Sequence, residues 1–451
     1  MSTEYIELYN KIRSEIEQGY RSFKSKLPSI REMADLTGRS KTTVISAYEQ
    51  LLAEGFIYTV PRKGYFVEDL DHVHIRNESP IFTQTPIKEK PWVVDLNQSS
   101  VDEGKFPHKE WRKCTNLALD RFDIQYGYWK GNPEFRTELQ SYLYKSRGVI
   151  ANVDQLIIGA GTQLILNSIC SVLKFKHIGI EEPGYLGAKH VFQSQNITIQ
   201  PIQLDEHGID IDKIKPNNLD AIYVTPSHQY PTGKIMSVQR RQELLRLAET
   251  YQFYIIEDDY DSEFRLEGKP IPSLQSLDKN GRVIYLGTFS KAFLPSLRMG
   301  YFVIPKTCLH SFYSLRSWEQ SCSEQIQLTM MYFMQRGYWE KHIRRMRKTY
   351  REKHDLVINQ LKKCFGDKIN LTSFKTGLRI LIWFKSEASE DQFITTALEK
   401  GYRVRGTHSC WHEITNKASK EVQLLFGYGS LSLPQIEPTV SDLHRAWKHF
   451  L

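Results

Sequence analysis

Five short apolar runs, separated by helical patterns, constrain the fold of this 451-residue chain more than any other feature. Short apolar runs are typical of buried strands, and their alternation with helices is typical of an α/β domain. The sequence therefore predicts a large, mostly parallel sheet that is covered on both faces. The five runs lie at residues 156–158, 178–180, 221–224, 253–256 and 283–286.

Polar segments follow these runs, and in parallel sheets ligands bind outside the carboxyl ends of the strands. After the first run, Gly161 and Thr162 open a helix, where bare backbone N–H groups bind anions. The last run leads to Ser290 and Arg298, whose hydroxyl and guanidinium also suit a phosphate. With Gln163 beside them, these residues predict a phosphate-binding edge of the sheet.

Lys291 follows the last run in a hydroxyl-rich loop, which is the setting that a pyridoxal phosphate site needs. A lysine at this place forms a Schiff base with the cofactor aldehyde. Asp258 can keep the pyridine nitrogen protonated, and Tyr260 and His228 can hydrogen-bond the phenolic oxygen. Tyr185 is an aromatic side chain that can stack on the ring. The segments after the strands thus predict a pyridoxal phosphate site.

Residues 1–68 form a separate block with the element order of a winged helix. Apolar residues at helical spacing predict a first helix, and Ser29 with Glu32 makes a capping box that starts a second. Another helical pattern covers residues 44–51, and residues 57–67 have the pattern of a β-hairpin. This order predicts a DNA-binding domain.

Basic charge in this block is concentrated on the helix-turn-helix. Ten basic and ten acidic residues cancel over residues 1–70, but residues 20–47 hold six basic residues against two acidic ones. Contact with DNA phosphates requires such a concentration. We expect DNA contacts from the helix starts and from the tip of the wing, at Ser29, Arg31, Arg39, Lys41, Thr42, Thr43, Arg62, Lys63 and Gly64.

The rest of the chain divides into a linker and an effector domain. Residues 69–91 lose periodicity and carry three prolines, which predicts a semi-rigid linker, and residues 92–451 hold the α/β pattern. Seven basic residues between Lys341 and Lys353 predict the exposed face of a long helix, or an added DNA-facing surface.

The bulk properties favour an intracellular protein that can bind nucleic acid. The formal charge of +8 permits nucleic-acid binding. The six cysteines are scattered without metal-type spacing, so we expect reduced thiols and no metal site. The sequence lacks a signal-peptide pattern and an apolar run long enough to span a membrane, so we expect a cytoplasmic protein.

The whole chain resembles the MocR/GabR regulators, which join a GntR-type winged helix to a fold-type-I aminotransferase domain. The resemblance implies a pyridoxal phosphate-binding effector domain with a smaller C-terminal α+β subdomain, and Lys291 as its Schiff-base lysine. It also implies a homodimer, in which Tyr126 reaches the phosphate bound by the neighbouring subunit. The resemblance is carried, in family order, by residues 27–31, 225–233, 257–264 and 287–298.

One position departs from the family pattern. Aminotransferases of this fold grip the substrate carboxylate with an arginine near the C-terminus, and Leu425 occupies that position here. Leucine cannot bind a carboxylate, which puts ordinary transamination in doubt. Arg379, Arg403 or Arg405 are other candidates for that role, and Lys189 lies near the Tyr185 turn.

Three functions follow from these patterns. The one we favour is a pyridoxal phosphate-dependent transcriptional regulator that binds operator DNA. It would sense either the cofactor itself, as in the pyridoxine-synthesis regulators (PdxR) of this family, or an amino compound. The alternative is an active aminotransferase with an accessory DNA-binding domain. A third is a winged-helix repressor whose large domain binds no cofactor.

Overall fold

The computed structural model describes residues 3–69, 93–96, 101–268, 271–317, 321–371, 376–412 and 421–451. The chain divides into two compact units, residues 1–88 and residues 89–451. The predicted linker lies outside the described residues except for Asp69. Its bounds therefore stay a prediction, and the two units are described separately.

The N-terminal unit is a three-helix bundle with a two-stranded hairpin. Its elements are α1 Thr3–Glu17, α2 Ile30–Thr37, α3 Lys41–Ala53, β1 Ile57–Val60 and β2 Gly64–Val67. The hairpin is antiparallel. The apolar residues at helical spacing form one buried core, in which Ile12, Val44, Ala47 and Leu51 are almost inaccessible to solvent. The predicted winged helix is confirmed.

Side-chain caps set the ends of the two helices of the helix-turn-helix. Ser29 and Glu32 form the predicted capping box, with reciprocal side-chain and backbone hydrogen bonds at the start of α2. Gly38 ends α2 in the left-handed conformation, which glycine adopts without steric cost. Ser40 caps α3 by accepting a hydrogen bond from the backbone N–H of Thr43.

The C-terminal unit contains the strands and helices that the alternating pattern predicts. The strands are β3 Val94–Asp95, β4 Leu156–Gly159, β5 His177–Glu182, β6 Thr198–Asp205, β7 Gly208–Ile209, β8 Ala221–Val224, β9 Tyr254–Asp259, β10 Val283–Thr288, β11 Gly300–Val303, β12 Asn370–Leu371, β13 Arg379–Lys385, β14 Tyr402–Arg403, β15 Arg405–Gly406 and β16 Glu421–Gly427. The helices are α4 His108–Leu119, α5 Pro133–Arg147, α6 Thr162–Leu173, α7 Leu186–Ser194, α8 Val238–Tyr251, α9 Leu309–Phe312, α10 Glu324–Gln335, α11 Tyr338–Phe365, α12 Glu390–Glu399 and α13 Leu433–Trp447.

Eight strands form the large sheet in the order β4-β11-β10-β9-β8-β5-β6-β7. The pairs from β10 to β6 are parallel, whereas β11 runs antiparallel to both β10 and β4. The predicted mostly parallel sheet is confirmed; four of the five predicted apolar runs lie within its strands, and the run 253–256 begins one residue before β9. β8 is buried along its whole length, as expected of a strand covered on both faces.

A second sheet, in the order β12-β13-β16-β15, lies in the C-terminal part of this unit. It is antiparallel and is accompanied by α12 and α13, which is the smaller α+β subdomain that the resemblance implied. Leu425 of β16 pairs with Leu381 of β13 on one side and with Arg405 of β15 on the other.

Two kinds of feature are absent from the described residues. None of the helices within the described ranges is long and apolar enough to cross a membrane. The same residues contain no cluster of three or more histidine, cysteine, aspartate or glutamate side chains that could hold a metal ion.

Candidate functional site

The carboxyl ends of the parallel strands meet at a cavity of about 240 Å³ in the large unit. The cavity lies where ligands bind in sheets of this kind. Segments that are distant in the sequence contribute its walls, which consist of Thr162, Gln163, Tyr185, Tyr223, Thr225, Tyr230, Asp258, Tyr260, Thr288, Ser290, Lys291, Pro295, Arg298 and Arg379. Eight of the residues predicted to hold a cofactor are among them.

Lys291 lies just beyond the end of β10, in the turn that follows Ser290. Burial, aided by the positive charge of Arg379, lowers the pKa of its ammonium group to about 7. A substantial fraction of this amine is therefore neutral near neutral pH. A neutral amine is the form that attacks a carbonyl carbon.

Asp258 is a buried carboxylate on β9 that faces the cavity. Burial raises its pKa to about 7, while a hydrogen bond from the Tyr223 hydroxyl, 2.5 Å from Oδ2, opposes that increase. Its Oδ1 atom is buried and has no hydrogen-bond partner among the described residues. The neighbouring Asp259 does not line the cavity and is bound instead by Arg147 and Tyr285, because successive side chains of a strand alternate between its faces.

Arg379 of β13 and Tyr260 form another wall of the cavity and are hydrogen-bonded to each other. The Nη2 atom of Arg379 donates to the Tyr260 hydroxyl at 2.5 Å, and its guanidinium lies 4.9 Å from the ring centre of Tyr230. The Tyr260 hydroxyl in turn donates to the backbone carbonyl of His228. The Nε atom of Arg379 is buried without a partner among the described residues, so one donor remains for a ligand.

His228 is not among the cavity-lining residues of the described chain. Its ring is buried, and Nδ1 lies 2.8 Å from the carboxylate of Asp261. Burial lowers the pKa of this histidine, so the contact is a hydrogen bond from a neutral ring. The backbone carbonyl of His228 accepts from the Tyr260 hydroxyl, and its predicted contact with the cofactor stays a prediction.

Gly161 and Arg298 meet at the N-terminus of α6. Gly161 has a φ of +95°, and a Cβ atom built there would lie 2.7 Å from Nη2 of Arg298. Only glycine permits this approach without displacing the guanidinium. Ser290 is held nearby by Thr288, whose hydroxyl accepts from the Ser290 N–H and donates to the Ser290 hydroxyl. Guanidinium, hydroxyls and helix N-terminus together form an anion site.

The remaining wall of the cavity is largely apolar and aromatic. Tyr185 packs edge-to-face on Tyr230, with ring centres 5.7 Å apart. Leu425 is 1% exposed and belongs to a buried cluster with Tyr230, Leu381 and Cys410, against which Tyr185 also packs. The position where a carboxylate-binding arginine was expected is therefore a buried leucine packed with Tyr230, and it is not among the described residues that line the cavity.

Tyr126 lies apart from this cavity. Its side chain is 83% exposed, and it lines a separate cavity with Tyr128, Asn132 and Glu324. It is not among the described residues that surround Lys291 in its own chain. A role at the site of the neighbouring subunit stays a prediction.

The residues of the main cavity fit pyridoxal phosphate. The unpartnered Oδ1 of Asp258 is an acceptor for a protonated pyridine nitrogen, and the anion site formed by Gly161 and Arg298 suits the phosphate. Lys291 supplies a primary amine whose lowered pKa favours reaction with an aldehyde. Each of the three reactive or charged parts of the cofactor thus has a matching group on this chain.

In the N-terminal unit, the predicted DNA-contact residues differ in exposure. Most of them lie on the surface, namely Ser29, Arg31, Lys41, Thr42, Arg62, Lys63 and Gly64. Arg39 is half-buried and forms an ion pair with Glu7 on α1, at 2.8 Å. Thr43 is only 8% exposed, and its hydroxyl lies 2.8 Å from that of Ser40. Thr43 therefore takes part in the cap of α3, and its predicted contact with DNA stays a prediction.

The sequence did not identify Tyr223 as a residue of the cavity, and it named Arg379 only as one of three candidate arginines. Tyr223 lies inside an apolar run and looks like any strand-forming aromatic residue, although the alternation along β8 could have placed it on the same face as the cavity. Arg379 reaches the cavity from β13, which is more than 80 residues beyond Lys291 in the chain. Only the tertiary fold brings it there.

Each of the two units matches a known protein family. Residues 93–413 match the aminotransferase class I and II family, and residues 4–67 match the gntR family of bacterial regulatory proteins. The chain is similar to a Pyrococcus horikoshii kynurenine aminotransferase solved in complex with PMP, with a TM-score of 0.70 and 25% identity. That likeness covers 79% of this chain and 91% of the enzyme.

Full-length relatives combine the same two parts. The HTH-type transcriptional regulator YdeL of Bacillus subtilis is 38% identical over 98% of this chain and 96% of its own length. The probable rhizopine catabolism regulatory protein MocR of Rhizobium meliloti is 32% identical over 87% of this chain and 84% of its own length. The chain belongs to the MocR/GabR family of transcriptional regulators, in which a GntR-type DNA-binding domain is joined to an aminotransferase-like domain that takes pyridoxal phosphate.

Proposed function

We propose that Lys291 holds pyridoxal phosphate covalently and that the ligand bound at this cavity controls DNA binding by the winged helix. One observation carries the proposal: a lysine with a pKa of about 7 shares a cavity with the unpartnered carboxylate oxygen of Asp258. Strongly perturbed groups gathered in a cleft are typical of functional sites. Here they lie in a chain that also carries a DNA-binding unit.

Each group of the cavity has a distinct task in this proposal. The cofactor supplies an aldehyde that condenses with a primary amine with loss of water, and a ring that withdraws electrons. Asp258 holds a proton on the pyridine nitrogen, and Tyr223 holds Asp258 in its ionised form. Arg379 keeps its Nε donor for the phenolic oxygen, and Tyr260 holds the guanidinium in place, since its own O–H donates to the carbonyl of His228. Tyr185, which lines the cavity, would stack on the ring.

The phosphate is bound, in this proposal, by the N-terminus of α6 and by the loop after β10. Thr162 offers the backbone N–H group at the start of the helix, Ser290 a hydroxyl and Arg298 a guanidinium, while the N–H of Gly161 already donates to the carbonyl of Gly159. Gln163 lies at the exposed rim of the same cavity. We propose a homodimer in which Tyr126 completes the phosphate site of the partner, since it is exposed and distant from its own cavity.

We favour a regulatory function over catalytic transamination because of Leu425. An amino-acid transaminase must grip a carboxylate in the course of each turnover, and the side chain at that place is a buried leucine packed against Tyr230. A binding site has no such need, since it has only to discriminate between ligands. We therefore propose a sensor of pyridoxal phosphate or of an amino compound, which acts on DNA in the cytoplasm.

Operator contacts are assigned to the exposed basic residues of the N-terminal unit. Arg31 on α2 and Lys41 and Thr42 at the start of α3 are exposed, as are Arg62 and Lys63 at the wing tip. These positions suit a recognition helix in the major groove and a wing on the phosphate backbone.

DNA footprinting tests the proposal. We expect purified protein to protect DNA from its own upstream region, and pyridoxal phosphate to change the extent or affinity of protection. Lys291→Ala should abolish that change, whereas Lys234→Ala, which removes a lysine bonded to the carbonyl of Asp205 outside the cavity, should not. Identical footprints with and without cofactor, or a protein that stays colourless with it, would contradict the proposal. Conversion of an added amino acid into its keto acid would instead favour the active aminotransferase.

A further inference from the structure

The second helix of the helix-turn-helix, α3, carries an isoleucine on its exposed face. Of the described side chains of α3, that of Ile45 alone is large, apolar and exposed, with 37% of its surface accessible. The helix packs into the core of the N-terminal unit through other residues, which include Val44, Ala47 and Leu51. An exposed isoleucine contributes little hydrophobic stabilisation, and a β-branched side chain is not favoured in a helix. Folding of the unit therefore does not account for Ile45.

Ile45 lies on the same face of α3 as the two exposed polar residues at the start of the helix. Lys41 and Thr42 precede it by four and three residues, which makes them its neighbours on the helix surface. Glu49, four residues beyond Ile45, is also exposed, and its negative charge repels phosphates. In a helix-turn-helix, residues near the start of the second helix contact base edges. The first turns of α3, with Ile45 among them, are therefore the part of this face that suits DNA.

An isoleucine at this place can interact favourably with only one kind of group on DNA. Its side chain has no hydrogen-bond donor, so it cannot bind a phosphate as Lys41 can. In the major groove the apolar group on the base edges is the C5-methyl group of thymine. The other base edges present donors and acceptors, which a hydrocarbon side chain would remove from water without replacing their hydrogen bonds. Ile45 therefore favours thymine and disfavours the other three bases.

We infer that Ile45 is a specificity-determining residue, which contacts the methyl group of a thymine in the operator. The inference rests on the proposed function, because that function assigns operator contacts to the start of α3. It does not depend on pyridoxal phosphate, since it concerns only the DNA-binding unit. Burial of one methyl group between Ile45 and the base should strengthen binding about fourfold.

Single replacement of thymine by deoxyuridine tests this inference, because deoxyuridine lacks only the C5-methyl group. The operator is obtained by selecting tight-binding duplexes from random sequences with the full-length protein, and each thymine of the selected site is then replaced in turn. We expect wild-type protein to bind about fourfold more weakly when the methyl group that Ile45 contacts is missing. The affinity is measured at one fixed salt concentration, since phosphate contacts depend strongly on salt.

Variants of Ile45 connect the methyl group to this side chain. Ile45→Ala should bind the intact operator about fourfold more weakly and should no longer distinguish thymine from deoxyuridine at that position. Its affinity for unrelated DNA should equal that of the wild type, which also shows that the domain remains folded. Ile45→Val keeps a branched side chain and should retain most of the discrimination. Leu36→Ala is the matched control, because it removes another exposed apolar side chain, from α2, and should leave the discrimination unchanged.

Three results would overturn the inference: no deoxyuridine weakens binding by the wild type, Ile45→Ala keeps the same discrimination, or Ile45→Ala weakens binding to operator and unrelated DNA equally. Failure of the proposed function has a different signature. If Lys41→Ala binds both kinds of DNA as tightly as the wild type, the start of α3 does not contact DNA, and the assignment of operator contacts falls together with the inference.

Discussion

Tyr223→Phe is the sharpest test of how the cavity controls its cofactor. The Tyr223 hydroxyl donates to Oδ2 of Asp258 at 2.5 Å, and this bond holds down the pKa of a carboxylate that burial has raised to about 7. A hydrogen bond to a charged group contributes about 1.5–3 kcal/mol. Its loss should therefore raise the pKa of Asp258 further, by about one to two.

The consequence for cofactor binding follows from the ionised fraction of Asp258. With a pKa of about 7, about half of the Asp258 carboxyls are ionised at neutral pH. An increase of the pKa by one to two leaves about a tenth to a hundredth ionised, so affinity for pyridoxal phosphate at neutral pH should fall about five- to fiftyfold. Because the carboxyl ionises as pH rises, affinity should recover at alkaline pH.

The assay is a titration with pyridoxal phosphate, followed by visible absorbance at a series of pH values on both sides of neutrality. Tyr285→Phe is the matched control, because its hydroxyl donates at 2.6 Å to Asp259, the neighbouring carboxylate that does not line the cavity. Both variants keep Lys291, so titration of the lysine contributes equally to both curves. Equal pH midpoints in Tyr223→Phe and the wild type, or equal shifts in the two variants, would refute the reasoning.

Three further predictions concern the phosphate site, the lysine and the wing. Gly161→Ala should weaken cofactor binding about tenfold or more because its Cβ meets Arg298, whereas Gly337→Ala, with a similar positive φ and no neighbour within 4 Å, should not. Lys291→Met should raise the unfolding free energy of cofactor-free protein by about 4 kcal/mol at neutral pH, because folding forces the wild-type lysine to lose its proton. This gain should fade as pH rises from the folded pKa of about 7 toward 10.5, because the lysine of the unfolded chain then loses its proton as well; a gain constant with pH would contradict it. Lys63→Ala should weaken binding to operator and unrelated DNA alike and reduce the salt dependence by about one ion, and a selective loss of operator binding would contradict this.

Most elements of the fold could be predicted because they depend on residues that are close together in the sequence. The capping box of Ser29 and Glu32 depends on residues three apart, and the structure contains it as expected. The apolar runs could likewise be predicted as buried strands, because their own residues are mostly apolar. Strand β11 was not predicted: it runs antiparallel between β4 and β10, and nothing in its own sequence specifies that partner order.

Long-range partners explain the remaining differences. Lys353 ends a basic run that was expected to face solvent or DNA, yet it is 1% exposed and pairs with Asp102 at 2.8 Å. The helical period places Lys353 on the buried face of α11, but the partner lies about 250 residues earlier in the chain. Tyr223 and Arg379 entered the cofactor cavity unpredicted for the same reason, since their contacts join separate strands.

The electrostatics of the cavity explain how an aminotransferase-like site can serve as a sensor. Lys291 and Asp258 both have pKa values moved to about 7, so each is held where its charged form is disfavoured by burial. Pyridoxal phosphate would bring a protonated ring nitrogen to Asp258 and an aldehyde to Lys291, so its binding would relieve both costs at once. It would thereby stabilise the arrangement of the large domain in which these two groups face one cavity. A ligand can alter DNA binding only through different affinities for two arrangements, and the same coupling makes DNA alter ligand affinity by an equal factor.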